Sequence, residues 1–176
     1  MILPEVMEVD GVPTVTAYAV NQEAWGAFLA SIPDEPEPDV EELRAAKAKE
    51  ISAECSAAIY AGVDVGESHY SLTEHDQTEL LAQTQAVKEG APAVPYHADG
   101  ELCRMYPAEE FTALAQAAYA HVFYHRTYCN HAFAWIARAD LAELDSIKYG
   151  AELPADLAER MAAIIAAAGG SEDDAV

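Results

Sequence analysis

Apolar residues return at helical spacing in four stretches of the chain and at strand spacing in a few short ones. In VEELRAAKAKEISAECSAAIYAG, Leu43, Lys47, Ile51, Cys55 and Ile59 fall four apart, with Ala48 and Ala58 beside them. That spacing predicts a helix from near Val40 to near Gly62, with acids in its first turn and the stem of Lys47 covering one edge of the stripe. A second helix follows Thr73, a residue suited to accept from backbone N–H groups, and Asp76 holds the reciprocal position of a capping box. Leu80, Leu81, Thr84 and Val87 are its inward positions, and Gly90 is its stop. The third and longest stretch runs without proline or glycine from Pro107 to about Arg138, a rod of roughly 45–50 Å. Phe111, Ala115, Ala118, Val122, His125, Cys129, Ala132 and Ile136 make one seam on it. Leu114, Ala117, His121, Tyr124, Tyr128, His131 and Trp135 make a second stripe, so the helix needs cover on two sides. The last stretch, PADLAERMAAIIAAA, is amphipathic through Leu157, Met161, Ile164 and Ile165 and ends at Gly169-Gly170.

The strand signals are shorter. VPTVTAYAV (12–20) is rich in β-branched residues. VDVGESHYSL reads as a tight hairpin or extended segment around its glycine. Asp99-Gly100 stands between two short alternating runs, which predicts a hairpin with Val94 and Tyr96 on one face of its first arm. On the second arm Leu102 and Arg104 share a face, opposite Cys103 and Met105. A two-stranded ribbon is marginal alone, so one face must lie on a helix. Near the N-terminus, EAWGAFLASI predicts a brief helix or docking segment bearing Trp25, Phe28 and Leu29. SIPDEPEPD then predicts an extended linker, because its prolines remove donors and restrict their predecessors. The fold class expected is mainly α. It comprises a small helical domain with a short β-hairpin before a long central helix, plus an extended N-terminal arm. The divisions expected are an acidic arm and linker over 1–39, the main domain over 40–150, and a C-terminal helix with an acidic tail over 151–176.

Charge narrows the partners. The 176 residues hold 31 acids against nine lysines and arginines, a formal net charge of -22, and no basic side chain precedes Arg44. Such a surface repels phosphate backbones and anionic lipid, so neither nucleic acid binding nor membrane insertion is expected. The N-terminus has no basic segment before an apolar run, and no apolar run nears eighteen residues, so a soluble, unprocessed chain is expected. Cys55, Cys103 and Cys129 form neither a CxxC pair nor a disulfide framework.

The one concentration of reactive side chains lies in residues 97–131, which include His97, His121, His125, His131, Cys103 and Cys129. His121 and His125 stand one helical turn apart and Cys129 one turn further, a spacing that allows two or three ligands to face one ion. Val122 replaces the glutamate that an HExxH motif requires, and neither a nucleophile elbow nor a glycine-rich phosphate loop occurs. Packed, hydrogen-bonded histidines are therefore the expectation, with no catalytic residue, no cofactor and no resident metal. The candidate interface residues are Trp25 and Phe28 in the arm and His121, Tyr124, Tyr128, His131 and Trp135 on the long helix.

The segments KEISAECSAAIYAGVDV, HYSLTEHDQTELL, VPYHADGELCRMYPAEEF, HRTYCNHAFAWI and IKYGAELP, in that order, carry a resemblance over about residues 47–153. This run resembles an uncharacterised helical domain found in proteins of tailed-phage and prophage tail-fibre or baseplate regions, notably those of Gram-positive gut bacteria. The resemblance implies a non-enzymatic structural or accessory part of a phage, or phage-derived, tail. Its setting would be the baseplate or the site of fibre attachment, in a virion tail assembled in the host cytoplasm. Its implied partners are other tail, baseplate or fibre proteins, with self-association open. A tail-fibre assembly chaperone and a metal-dependent host-surface module are the alternatives.

Overall fold

The structure, a computed structural model, describes residues 2–20, 22–31 and 39–169. The interior of the SIPDEPEPD linker and the SEDDAV terminus lie outside the described residues. The chain divides into two compact units, Met1–Pro38 and Asp39–Val176.

The first unit contains strands β1 (Ile2–Val9) and β2 (Val12–Val20), paired antiparallel, followed by helix α1 (Gln22–Ser31). The β-branched run at 12–20 and the short helix form as expected, while β1 is an addition. Val9 pairs with Val12, leaving Asp10-Gly11 as a two-residue loop with φ of 52° and 79°. Positive φ at both positions is what a type I′ turn demands, and Asp-Gly accepts it at little steric cost.

The second unit is built on helix α4 (Ala108–Arg138), which runs unbroken as its lack of proline and glycine predicted. Its N-terminal half holds one core. There Phe111, Leu114 and Ala118 pack with Tyr70, Leu72, Leu80, Val94, Tyr96 and Tyr106. Those partners come from helix α3 (Glu74–Lys88), the segment just before it that holds Leu72, and two hairpins, β3–β4 (Val63–Val65 with Ser68–Tyr70) and β5–β6 (Ala93–Tyr96 with Arg104–Pro107). The C-terminal half of α4 holds the other core. Tyr128, Cys129, Ala132, Trp135 and Ile136 pack there against helix α2 (Val40–Tyr60), α5 (Leu141–Ser146) and α6 (Ala155–Ala167). Val122 touches both cores. Two cores along one rod explain why both of its stripes are apolar: each half is covered on different sides by different elements.

Local chemistry sets several boundaries. Thr73 Oγ1 accepts from the Asp76 N–H while the Asp76 carboxylate accepts from the Thr73 N–H, which completes the capping box. Asp140 caps the short α5, which the sequence pattern did not predict, by accepting from the Glu143 N–H at 2.9 Å. Arg104 stacks over the Tyr106 ring, 3.5 Å from its centroid, and pairs with Glu110, fastening β6 to the first turn of α4.

Three expectations need correction. The β5–β6 hairpin exists, but Tyr96 pairs with Arg104, so residues 97–103 form a wide loop rather than a two-residue turn. Leu81 is 71% exposed and Ile164 44% exposed, against the inward positions expected of them. Leu81 follows the buried Leu80 and Ile164 precedes the buried Ile165, and only one of two adjacent helix positions can face the same neighbouring helix.

Candidate functional site

The histidine, tyrosine and cysteine residues of α4 meet α2 and the 147–153 loop around the middle of the rod. Ordinary helix geometry puts His121 and His125 on one face, with ring centroids 4.4 Å apart in an edge-to-face arrangement. One ring nitrogen of each has a hydrogen-bond partner. His121 Nε2 lies 3.0 Å from the Ala58 carbonyl of α2, to which its N–H donates, and His125 Nδ1 lies 2.7 Å from the Tyr149 hydroxyl. The Cys55 thiol donates to the His125 carbonyl at 3.4 Å. The Tyr128 hydroxyl donates to the Ala151 carbonyl at 2.8 Å, and His131 Nδ1–H donates to the Thr127 carbonyl at 2.8 Å, one turn back. Trp135 Nε1–H reaches Glu143 Oε1 at 2.5 Å.

Burial fixes the protonation of this group. It holds His125 down at about 4, with the neighbouring His121 adding a smaller push in the same direction. The tautomer of the neutral ring sets which partner of the His125–Tyr149 bond donates. Burial, and then Cys55, push the Cys129 thiol up to about 12. Burial likewise raises Tyr128 and Tyr149. At neutral pH His125 is therefore an uncharged ring, and Cys129 is a thiol and not a thiolate. Among the described residues no group of three or more His, Cys, Asp or Glu side chains is placed to hold a metal ion.

The candidate interface residues separate by this geometry. Tyr128, His131 and Trp135 are buried in the domain's own core. The sequence required cover for their stripe without saying whether the domain or a partner supplies it, and α5, α6 and the 147–153 loop supply it. His121 and Tyr124 are half-buried and line an open groove beside α4, together with Val63, Leu80 and Ile165. Trp25 and Phe28 are exposed in the other unit, at 44% and 52%, with rings stacked 5.4 Å apart.

Sequence reasoning overlooked Tyr149, the partner of His125, because a loop tyrosine carries no periodic signal. It also overlooked Tyr119, which is 61% exposed and stacks on Phe123 at 5.6 Å. Their spacing of four in the sequence was the available clue.

A pH dependence follows from His125. Its folded value near 4 lies below the ordinary 6.5, so between those values the unfolded chain holds a proton that the folded chain lacks. Stability is then fully present above about pH 6.5 and falls as pH drops towards 4, by on the order of 1–2 kcal/mol for a ring still partly open to solvent. The expected result is that urea unfolding between pH 7.5 and 4.5 shows a steeper loss for the wild type than for His125→Asn. Asparagine can still hydrogen-bond with Tyr149 but does not titrate. Carboxylates titrate alike in both proteins and cancel in the difference, so parallel curves would remove His125 as the cause.

The second unit is thus a mainly helical domain organised around one long helix with a hydrogen-bonded seam. The chain belongs to the family described as "Domain of unknown function (DUF4376)", which matches residues 42–149. That span covers α2 through α5 and both hairpins of the second unit, and it ends at Tyr149. No curated protein and no solved structure shows significant similarity to the chain. No helix among the described residues is long and apolar enough to cross a membrane.

Proposed function

We propose that the chain is a non-enzymatic structural or accessory component of a phage or phage-derived tail, at the baseplate or fibre-attachment region, acting through protein–protein contacts. The observation that carries the contact part of this reading is the division of labour between the units. The family domain holds Cys55, Cys129, Tyr128 and His131 in its interior, where Cys55, Tyr128 and His131 hydrogen-bond to backbone carbonyls. The other unit holds Trp25 and Phe28 at its surface. The tail setting rests on the resemblance of residues 47–153 to domains of tail-fibre and baseplate proteins. A net charge of -22 is compatible with assembly among proteins and unfavourable for contact with phosphate backbones.

The test is the copy number of this chain in purified particles and in tail intermediates, measured by quantitative mass spectrometry. A fixed stoichiometry in mature tails is the expected result. Presence in intermediates but loss from mature tails would replace it with the assembly-chaperone reading, and absence from both would sink the tail setting.

A deletion separates attachment from folding. Removing residues 1–38 cuts at the boundary between the units, so the helical circular dichroism of the remainder should persist with a cooperative melt. Co-purification with neighbouring tail proteins should be lost. Retained attachment would move the contact to the family domain, where His121, Tyr124 and Tyr119 border open surface.

A further inference from the structure

Trp25, Phe28 and Leu29 stand at i, i+3 and i+4 of α1, and they are 44%, 52% and 50% exposed. This is the anchor spacing of a helix that lies in an apolar groove. The helix has ten residues, a length that is marginal in water without tertiary support, and the unit's strands form a single two-stranded ribbon, also marginal alone. We infer that α1 docks through Trp25, Phe28 and Leu29 into an apolar groove on another protein whose rim carries lysine and arginine.

Charge selects this occupant. Residues 1–38 hold Glu5, Glu8, Asp10, Glu23, Asp34, Glu35 and Glu37 and no lysine or arginine. A basic rim is therefore the complement of the whole unit, and acids next to the apolar anchors repel an acidic one. A second copy of this chain fits poorly. Of its nine cationic side chains, Arg44, Lys47, Arg104 and Arg138 are committed to ion pairs with Glu41, Glu50, Glu110 and Asp156, and each copy brings a further -22. A membrane surface fits poorly too, because interfacial helices place basic residues beside their aromatic face and α1 has Glu23 in its first turn and no basic residue.

The inference deepens the tail reading by naming the docking element, yet its test needs no particle, so either can fail alone. The probes are four synthetic 18-residue helical peptides. One has a leucine face flanked by lysine, two have the same face flanked by glutamine or by glutamate, and one has lysine on glutamine without leucine. Binding to the full chain is measured by calorimetry at low and high salt, and tryptophan emission is followed in parallel, with the Trp25→Ala spectrum subtracted to remove Trp135. The expected result is tightest binding of the leucine–lysine peptide, with a blue shift. The dissociation constant should rise at least tenfold in Trp25→Ala and in Phe28→Ala, while circular dichroism of the helical unit stays unchanged. Equal binding of the lysine–glutamine peptide, or equal binding by both variants, would overturn it by showing only general attraction to an acidic surface. Two further arms use the chain alone. A blue shift on adding phosphatidylcholine or phosphatidylglycerol vesicles would overturn it in favour of lipid. A dimer in sedimentation that Trp25→Ala abolishes would overturn it in favour of a second copy.

Discussion

Replacing Gly62 by alanine should destabilise the family domain by about 3–5 kcal/mol, the largest effect expected of a glycine substitution among the described residues. Gly62 sits where α2 ends and the chain turns into β3, with φ of +82°. A side chain there is strained by the left-handed backbone alone. Space makes it worse: a Cβ at Gly62 would stand 2.0 Å from the Tyr70 carbonyl oxygen and 2.8 Å from Ser71 Cα. Those are backbone atoms and cannot swing aside as the end of a side chain can. Tyr70 is itself fixed, because its ring is buried and its hydroxyl meets that of Tyr106 at 3.1 Å. Relief would have to separate α2 from β4 and open the first core at Leu72, which is fully buried. Gly66→Ala is the control. Its φ is +66° but nothing lies within 4 Å of the added carbon, so only the backbone cost of about 1–2 kcal/mol should appear in urea unfolding. Equal losses at the two glycines would show that the close approach at Tyr70 gives way.

Gly62 also shows where a sequence is readable. Its role as the end of α2 was legible, since glycine after a periodic run stops a helix. The close approach to Tyr70 was not, because it depends on how the β3–β4 hairpin folds back over the helix end. The two Asp-Gly pairs make the same point. Asp99-Gly100 was expected to form a two-residue turn and does not, whereas Asp10-Gly11 does. In the I′ turn both central residues need positive φ, and Asp10 is the only non-glycine residue among those described that has it. Asp99 is committed elsewhere. Its carboxylate accepts from the Ser71 N–H at 3.1 Å and from the Ser71 hydroxyl, and its own N–H donates to the His69 carbonyl at 2.9 Å. The Ser71 hydrogen bond, foremost, holds the Asp99 carboxyl below its ordinary value. A tertiary contact between hairpins has overruled a local turn preference, and a dipeptide cannot report such a contact.

The long helix and the capping box were legible because their signals are local: uninterrupted periodicity in one, two side chains three residues apart in the other. The histidine seam was half legible. Spacing predicted that His121 and His125 share a face, and the absence of motif glutamate or paired cysteines favoured packing over metal binding. The partners that decide their chemistry, Ala58 and Tyr149, come from distant parts of the chain, 63 and 24 residues away. The cover over Tyr128, His131 and Trp135 was likewise invisible, since no rule of periodicity says which of two apolar stripes faces the fold's own elements and which faces a partner.

Cys129→Asp should cost at least about 3 kcal/mol, while Cys103→Asp should stay within about 0.5 kcal/mol, although both add one negative charge to the same protein. Cys129 is 7% exposed among Ile51, Cys55 and Ala132, where α2 meets α4. A carboxylate at that position loses its hydration, and the neighbours offer no cation within the seam: His125 is held neutral and Cys55 is a thiol donating to a carbonyl. Arg126 lines the same small cleft as Cys129, but it is exposed and its guanidinium reaches towards Gln77, so pairing with it would require the aspartate to leave the core. Cys103 lies in the exposed 97–103 loop, where water solvates an added charge. Urea unfolding of the two variants gives the comparison directly. Thiol labelling of the native wild type gives it independently, with Cys103 reacting at once and Cys55 and Cys129 only as the domain opens. Fast labelling of Cys129 together with a mild Cys129→Asp variant would mean that α2 and α4 part readily, and the seam would then be a surface available to a partner instead of a core.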